Sequence, residues 1–559
     1  MKGAKAILQS LLHEGVEHIF GYPGGTIMPV YDALYDLRAE LHHILVRHEQ
    51  GAAHAAEGYA RVSGKVGVCL VTSGPGATNL ITGIADAMAD SVPLVCITGQ
   101  VPSFLLGTDA FQEADILSMT LPVTKWSCQI TSAADISSMM AKAFYIAQNG
   151  RPGPVLVDIT KDAQLEDCEF SYQKYVSPLI SDSSQTFAPN AFMRAAQLIN
   201  QAKKPYLLAG HGVLIAKAEA DLLQLAEKAD IPVACTLHGL SAFPTDHRLY
   251  VGMLGMHGNY APNILTNEAD VIIAVGMRFD DRVTGNLASY AKQAKVIHIE
   301  IDAAEINKNV PVEVALLSDA KFALTQLCEQ IHLNQHPQWL KQFESYAVQE
   351  FEQVIAKEIV SDHSSIRMAE VIHLLSQKTH GEAIIVSDVG QHQMVAARYY
   401  RYKNSNSHIT SGGLGTMGFA LPAAIGAKLA TREREVIAII GDGGFQMNIQ
   451  ELGVLAQENL PIKIIILNNN HLGMVRQWQE LFFKERYSFV QLKNPDFIKI
   501  AEGYGISANR VEQRDLLALA IDDMLQANES YLLEVVVEQQ ENVFPMIPAG
   551  AGVGEMRLS

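Results

Sequence analysis

Asp442 lies in the run EVIAIIGDGGFQMNIQELGVLAQENLPIKIIILNNN, flanked by Gly441, Gly443 and Gly444, with no Lys or Arg in the turn. Glycines let a backbone pass close to a bound group, and the free amides at the start of the following helix favour an anion. A bare carboxylate would repel that anion. A hard divalent cation such as Mg²⁺, taking oxygen ligands from both, removes the conflict. The second apolar run returns Asn469 to the same sheet edge, where its amide oxygen is a neutral ligand, and a main-chain carbonyl near His471 completes the set. The chemistry implied is a diphosphate held through a metal. GDGG or NNN alone is an ordinary turn or strand exit; it is their joining across one strand-turn-helix-strand unit that carries meaning.

A second group is Glu49 in HHILVRHEQGAAHAAEGYAR, directly after a short strand and before an Ala-rich helix. At such a sheet edge burial would raise its pKa, although a helix cap or a solvated charge explains a lone Glu equally well. Other singled-out side chains also have plain readings. Arg278 can pair with Asp280 or Asp281, Phe111 can be a core aromatic, Lys161 a surface charge and Trp478 packing on a helix.

These groups need elements to hold them. A chain of 559 residues with 48% hydrophobic content predicts about three or four domains. From residue 1 to 165, β-branched runs such as VGVCLVTS alternate with Ala-rich helical stretches; the alternation resumes over 189–330 and again over 366–548. The fold class expected is α/β, three doubly wound parallel-sheet domains. A polar stretch, 165–189, and a Gln- and Glu-rich helical connector, 331–365, join them. Ligands of such sheets sit at the carboxyl ends of strands.

Lys plus Arg number 42 against 60 Asp plus Glu, a formal charge of −18, which disfavours nucleic acid and anionic membranes as partners. The six cysteines show no CxxC pair, and the N-terminal run MKGAKAILQSLLHEGVEHIF reads as neither signal peptide nor membrane anchor. A cytoplasmic protein with reduced thiols is expected.

GDG followed by NN at this spacing resembles the thiamine-diphosphate-binding motif of the decarboxylase and carboligase superfamily. The resemblance implies pyrimidine-binding, central and diphosphate-binding domains, with Mg²⁺ on Asp442, Asn469 and the backbone oxygen of His471. Thiamine diphosphate would meet Val389, Gly390, Gln391 and His392 from SDVGQHQ, Gly415 and Met417 from SGGLGTMG, the three glycines at 441, 443 and 444, and Gly473 and Met474. Met417 would be the apolar prop that bends the cofactor. RHEQGAAHAAEGYAR resembles the catalytic-glutamate segment, which makes Glu49 rather than Glu57 the carboxyl that promotes the cofactor's imino tautomer. Because the superfamily draws glutamate and diphosphate site from different subunits, a homodimer or homotetramer with interfacial active sites is implied.

The runs FGYPGGTIMPVYDAL, SGPGATNLITGIADAMADSVPLVCITGQ, LGTDAFQE and RPGPVLVDITKD are similar to acetohydroxyacid synthase catalytic subunits nearly end to end, and RQWQELFFKERYS and ENVFPMIPAGAG look most like the bacterial isozyme II type. In that family Gly25 and Gln112 would be catalytic, and Phe111, Lys161, Arg278, Met474 and Trp478 would line the substrate path. Trp478 would favour 2-ketobutyrate. GMRFDDRVTG resembles the FAD-binding segment, so a structural, non-redox FAD is implied at Gly210, Gly212, Thr236, Leu237, Met256, His257, Gly276, Arg278, Asp280, Val283, Glu300, Ile301, Asp319 and Ala320. No GxGxxG fingerprint is present, so FAD rests on the resemblance. The implied reaction decarboxylates pyruvate and transfers the two-carbon unit to a second 2-keto acid, the first common step toward valine, leucine and isoleucine. A separate small regulatory subunit stays open, as do a pyruvate oxidase, a simple decarboxylase, an FAD-free synthase and a non-catalytic partner.

Overall fold

The computed structural model describes residues 1–177, 190–359 and 365–559. The ends of the two expected joining segments, 178–189 and 360–364, lie outside the described residues. Runs such as GVCLV and LVCITGQ are apolar along their whole length, which suits strands covered on both faces, and both are buried throughout.

Among the described residues eighteen strands, the central ones buried in this way and edge strands such as Ser507–Val511 partly exposed, form three six-stranded sheets in which each pair of neighbours is parallel. The first holds β1 (His18–Tyr22), β2 (His42–Leu45), β3 (Gly67–Val71), β4 (Leu94–Gln100), β5 (Trp126–Ile130) and β6 (Pro154–Thr160), ordered β2-β1-β3-β4-β6-β5. The second holds β7 (Pro205–Ala209), β8 (Val233–Cys235), β9 (Tyr250–Met253), β10 (Val271–Val275), β11 (Lys295–Glu300) and β12 (Val314–Leu317), ordered β12-β11-β10-β7-β8-β9. The third holds β13 (Ile384–Ser387), β14 (His408–Thr410), β15 (Val436–Gly441), β16 (Lys463–Asn468), β17 (Ser507–Val511) and β18 (Tyr531–Val536), ordered β14-β13-β15-β16-β18-β17.

The first and third sheets share one strand order, a repeat of architecture that no short sequence repeat betrays. Each sheet has a point where the strand order reverses: β1/β3, β7/β10 and β13/β15. Crevices outside such points are where doubly wound sheets bind ligands.

Within the chain, helix Glu49–Ser63 of the first domain crosses helix Ala420–Ala430 of the third backbone to backbone. Side chains at Gly58 and Gly426 would overlap the carbonyls of Ala423 and Ala55, so only glycine permits the approach. The buried cluster that includes Ala52, Ala56, Phe419 and Ala424 is continuous across both domains. The chain end returns to the second domain rather than staying with the third: Ile547, Val553 and Met556 are buried with Leu208, Leu254 and Leu265, and Gly552 bridges to Gly285.

Candidate active site

The third-domain cleft opens at the β13/β15 reversal and is lined from Met368 to Val475, all of it third-domain sequence. It gathers the expected Val389, Gly390, Gln391, His392, Met417, Gly441, Asp442, Gly443, Gly444, Asn469, His471, Gly473 and Met474. Gly415 is not among the lining residues, but it has φ +75° and nothing nearer than Val389 Cγ1 at 4.0 Å from a built Cβ, so its turn faces open space.

The glycines have a second reason to be there. A Cβ on Gly441 would lie 2.8 Å from His392 Cε1, one on Gly443 2.7 Å from Leu472 Cδ2, and one on Gly444 2.5 Å from Asp388 Oδ1. The GDGG turn therefore makes room for the protein's own side chains as well as for a ligand.

Burial pushes the Asp442 carboxyl up to about 6, with Asn494 opposing. Asn494 Nδ2 donates to Asp442 Oδ2 at 2.7 Å and lies 3.0 Å from Asn468 Oδ1 and 3.1 Å from Asn470 Oδ1. Asn469 Oδ1 accepts from the His471 N–H at 3.0 Å and keeps a second lone pair. A buried carboxylate beside an amide oxygen with a lone pair to spare is a donor set that fits Mg²⁺.

In the first domain His48, not Glu49, caps the helix: its Nδ1 accepts from the Gln50 N–H at 3.2 Å. Glu49 is half-buried in this single chain, and its Oε2 accepts from Asn79 Nδ2 at 2.9 Å. Its other oxygen lies 3.3 Å from the position of a Cβ on Gly76, which would itself be 2.7 Å from Thr72 Cγ2. Gln112 has φ +60° and packs against Gly74, whose Cβ would lie 3.0 Å from the Gln112 Cβ. Gly25 has nothing within 4 Å of a built Cβ. Gly25, Glu49 and Gln112 thus converge around the β1/β3 reversal. Glu57 is fully buried, hydrogen-bonded to His54 Nδ1 at 2.9 Å, and burial raises its pKa well above the usual range: it is a core group.

The second-domain cleft lies at the β7/β10 reversal. It brings together Gly212, Thr236, Gly276, Arg278, Asp280, Val283, Glu300, Ile301, Asp319 and Ala320. Gly210 sits beneath, against the Gly276 carbonyl, Leu237 packs on the domain core, and Met256 and His257 lie outside the lining. Arg278 reaches Asp280 only at 3.9 Å, because an Asp280 oxygen instead caps the N–H groups of Arg282 and Val283. Its guanidinium remains available to an anion.

Phe111 is 89% exposed, and neither it nor Trp478 lines the second- or third-domain cleft. Lys161 begins the short helix after β6 and is half-buried. Sequence reasoning missed Asn494, Thr72, Asn79, Asp388, Asp90, Arg151, His211 and His238. Asp388 is fully buried and takes the N–H groups of Val389, Gly418 and Ala420, which fixes the loop before helix Ala420–Ala430. SDVG at a strand end was the available signal for it; Asn494, in a polar run far along the chain, offers none.

Comparison with known families agrees with this geometry. The thiamine pyrophosphate enzyme N-terminal TPP binding domain matches residues 1–119, the central domain 192–327 and the C-terminal TPP binding domain 388–535. Fold and domain composition are those of a thiamine-diphosphate-dependent enzyme. The chain is 46% identical over 562 residues to the acetolactate synthase isozyme 2 large subunit of Escherichia coli strain K12, spanning 100% of this chain and 99% of that one. It is 47% identical to the acetolactate synthase large subunit of Lactococcus lactis, covering 99% and 96%, and 45% identical to the acetolactate synthase of Mycobacterium bovis, covering 100% and 92%. The chain belongs to the acetolactate synthase family, also called acetohydroxyacid synthases.

Proposed function

We propose that this chain decarboxylates pyruvate and joins the two-carbon unit to pyruvate or 2-ketobutyrate, giving 2-acetolactate or 2-aceto-2-hydroxybutyrate on the route to the branched-chain amino acids. One observation carries the reading: a metal-ready diphosphate cleft at β13/β15 and a dinucleotide-type crevice at β7/β10 occur in a chain that matches acetolactate synthases throughout.

Thiamine diphosphate supplies the electron sink for decarboxylation. The protein's part is to bind, orient and move protons. Asp442, Asn469 and the His471 carbonyl oxygen would hold Mg²⁺, and Val389, Gly390, Gln391, His392 and the GDGG turn would hold the diphosphate. Met417 would prop the bound cofactor, with Gly415 beside it. Glu49 would be the carboxyl that exchanges a proton with the bound cofactor, and Gly25 and Gln112 would border the reacting carbonyl. All lining residues of the diphosphate cleft are third-domain residues while Glu49 lies at the β1/β3 crevice, which supports a homodimer or larger oligomer with the two halves facing across the interface. Exposed Phe111, together with Lys161, Arg278, Met474 and Trp478, forms the substrate path once the partner is in place.

FAD fits the second cleft as a structural group. Read along the chain, the strand order is 3-2-1-4-5-6 from the far edge, the dinucleotide arrangement, and Gly212 and Gly276 meet at its reversal. The large-subunit relatives suggest a separate small regulatory subunit. No helix among the described residues is long and apolar enough to cross a membrane, in keeping with a cytoplasmic enzyme.

The deciding experiment incubates the purified chain with pyruvate, 2-ketobutyrate, thiamine diphosphate, Mg²⁺ and FAD. Acetohydroxy acids are expected; acetaldehyde or acetyl phosphate as main product would overturn the reading.

A further inference from the structure

Helix Gly473–Phe482, which carries Met474 and Trp478, is amphipathic, with Arg476 and Gln477 buried beneath it. Gln477 is fully buried, and every polar atom of its side chain is used. Its Oε1 accepts from Gln391 Nε2 at 2.9 Å and from the Val543 N–H at 2.9 Å, while its Nε2 donates toward the Val543 carbonyl at 3.3 Å. Amide oxygen and nitrogen are easily confused, but here the two backbone groups of Val543 leave one orientation. Gln391 is fixed in the same way, since its Nε2 also donates to the Glu541 carbonyl at 2.8 Å. Its remaining oxygen is buried, has no partner, and points at Gly473, the first residue of the helix, where any side chain would overlap it. One buried amide pair therefore joins the diphosphate cleft, through Gln391, to the middle of the helix and to the carboxy-terminal segment.

We propose that Gln477 is a positioning residue for second-substrate selection, setting the rotation and depth of the helix so that Met474 and Trp478 are presented to the incoming 2-keto acid. A buried side chain whose polar atoms are all hydrogen-bonded, as those of Gln477 are, has one low-energy arrangement and loses it when a partner is removed. Trp478 is the next residue on the helix, so a small roll at Gln477 moves the indole directly. Arg476 braces the same face by donating to Asn542 Oδ1 at 2.7 Å, which keeps the helix docked when Gln477 is changed. The proposal rests on the reading that this helix borders the second-substrate pocket.

The test uses the full holoenzyme with pyruvate and 2-ketobutyrate in competition, reading the ratio of 2-aceto-2-hydroxybutyrate to 2-acetolactate. Gln477→Met, of similar volume without the hydrogen bonds, should lower the ratio about tenfold, the scale of one methyl contact in a pocket, while total pyruvate consumption falls less. Trp478→Leu should lower it too, and the double variant should be no lower than Trp478→Leu alone, because both act on one contact. An unchanged ratio in Gln477→Met, or additive losses in the double variant, would overturn the proposal. If Trp478→Leu leaves the ratio intact while Gln477→Met lowers it, the helix position still governs selection through Met474, and only the role given to Trp478 fails. Should Gln477→Met not fold, Gln477→Glu decides: it keeps both acceptor bonds but sets an oxygen against the Val543 carbonyl, and a folded Glu variant with an unaltered ratio would count against the proposal.

Discussion

His238 Nε2 lies 2.9 Å from Asp90 Oδ1, a close contact that brings the second domain onto a buried carboxylate of the first. The same carboxylate takes Arg61 Nη2 at 2.7 Å and the N–H groups of Gly412 and Gly413 at 3.0 and 2.7 Å. Burial alone would raise its pKa; His238, Arg61 and Gly412 outweigh burial and hold it well below the carboxylate range. Asp90 and His238 also line the second cleft, so one side chain links the proposed flavin crevice to the loop that carries Gly415 and Met417. Asp90→Asn should weaken flavin retention and thiamine diphosphate binding together, each by about tenfold or more. Gel filtration with flavin absorbance, alongside cofactor titration by intrinsic fluorescence, reads both; loss of one alone would break the link.

Glu49→Gln should retain thiamine diphosphate and Mg²⁺ but slow exchange of the cofactor's C2 proton by about 10² to 10⁴-fold. Quenched-flow exchange into D₂O followed by proton NMR measures that rate. Exchange at the parental rate would remove Glu49 from the role.

Asn494→Ala takes away the amide between Asp442 Oδ2, Asn468 Oδ1 and Asn470 Oδ1. Residues that orient metal ligands are worth about 10 to 100-fold in affinity, so the Mg²⁺ needed for half-activation should rise by that order. A titration at saturating cofactor checks it, and Asn494→Asp should not restore the wild-type value, because it adds a like charge.

Gly426→Leu should prevent assembly of the first and third domains, since even a methyl at 426 would overlap the Ala55 carbonyl. The expected outcome is insoluble chain or a lowered melting temperature. A soluble variant with the parental melting temperature would show that the two helices can separate.

Burial, with Glu358 adding to it, pushes Glu541 up to about 7. Between its ordinary value of 4.5 and about 7 the native state keeps a proton that the unfolded chain has released, so this group's contribution to stability falls as pH rises through that window. The loss approaches ~3 kcal/mol and levels off above pH 7. Glu541→Gln should therefore be relatively more stable than the parent at pH 8 than at pH 5, by urea unfolding at both. Equal differences at the two pH values would contradict the shift.

Much of this was legible in the chain. Runs apolar from end to end pointed to parallel strands, and Asp442 and Asn469, expected to share a cation site, line one cleft. Strand order was not legible: the 2-1-3-4-6-5 arrangement shared by the first and third sheets comes from long-range pairing that leaves no local trace. Nor could residue types show that Gly441 and Gly444 accommodate His392 and Asp388, or that Glu49 stays half-buried while Glu57 becomes a core acid. Asn494 and Asp90 escaped because each acts across separate segments, and Gln477 because a Gln on an amphipathic helix reads as solvent-facing until its partners are known.

The return of Ile547, Val553 and Met556 to the second domain bears on how the polypeptide is made. On the ribosome the chain emerges from the N-terminus, so the apolar surface around Leu208, Leu254 and Leu265 waits through the synthesis of more than 280 further residues for its last cover. The middle domain is translated before the third and sealed after the third domain's last strand, β18, has been made. A nascent chain halted before Ile547 leaves that surface open to chaperones, and a bulky fusion placed directly after Met556 obstructs a closing step of folding rather than a free tail.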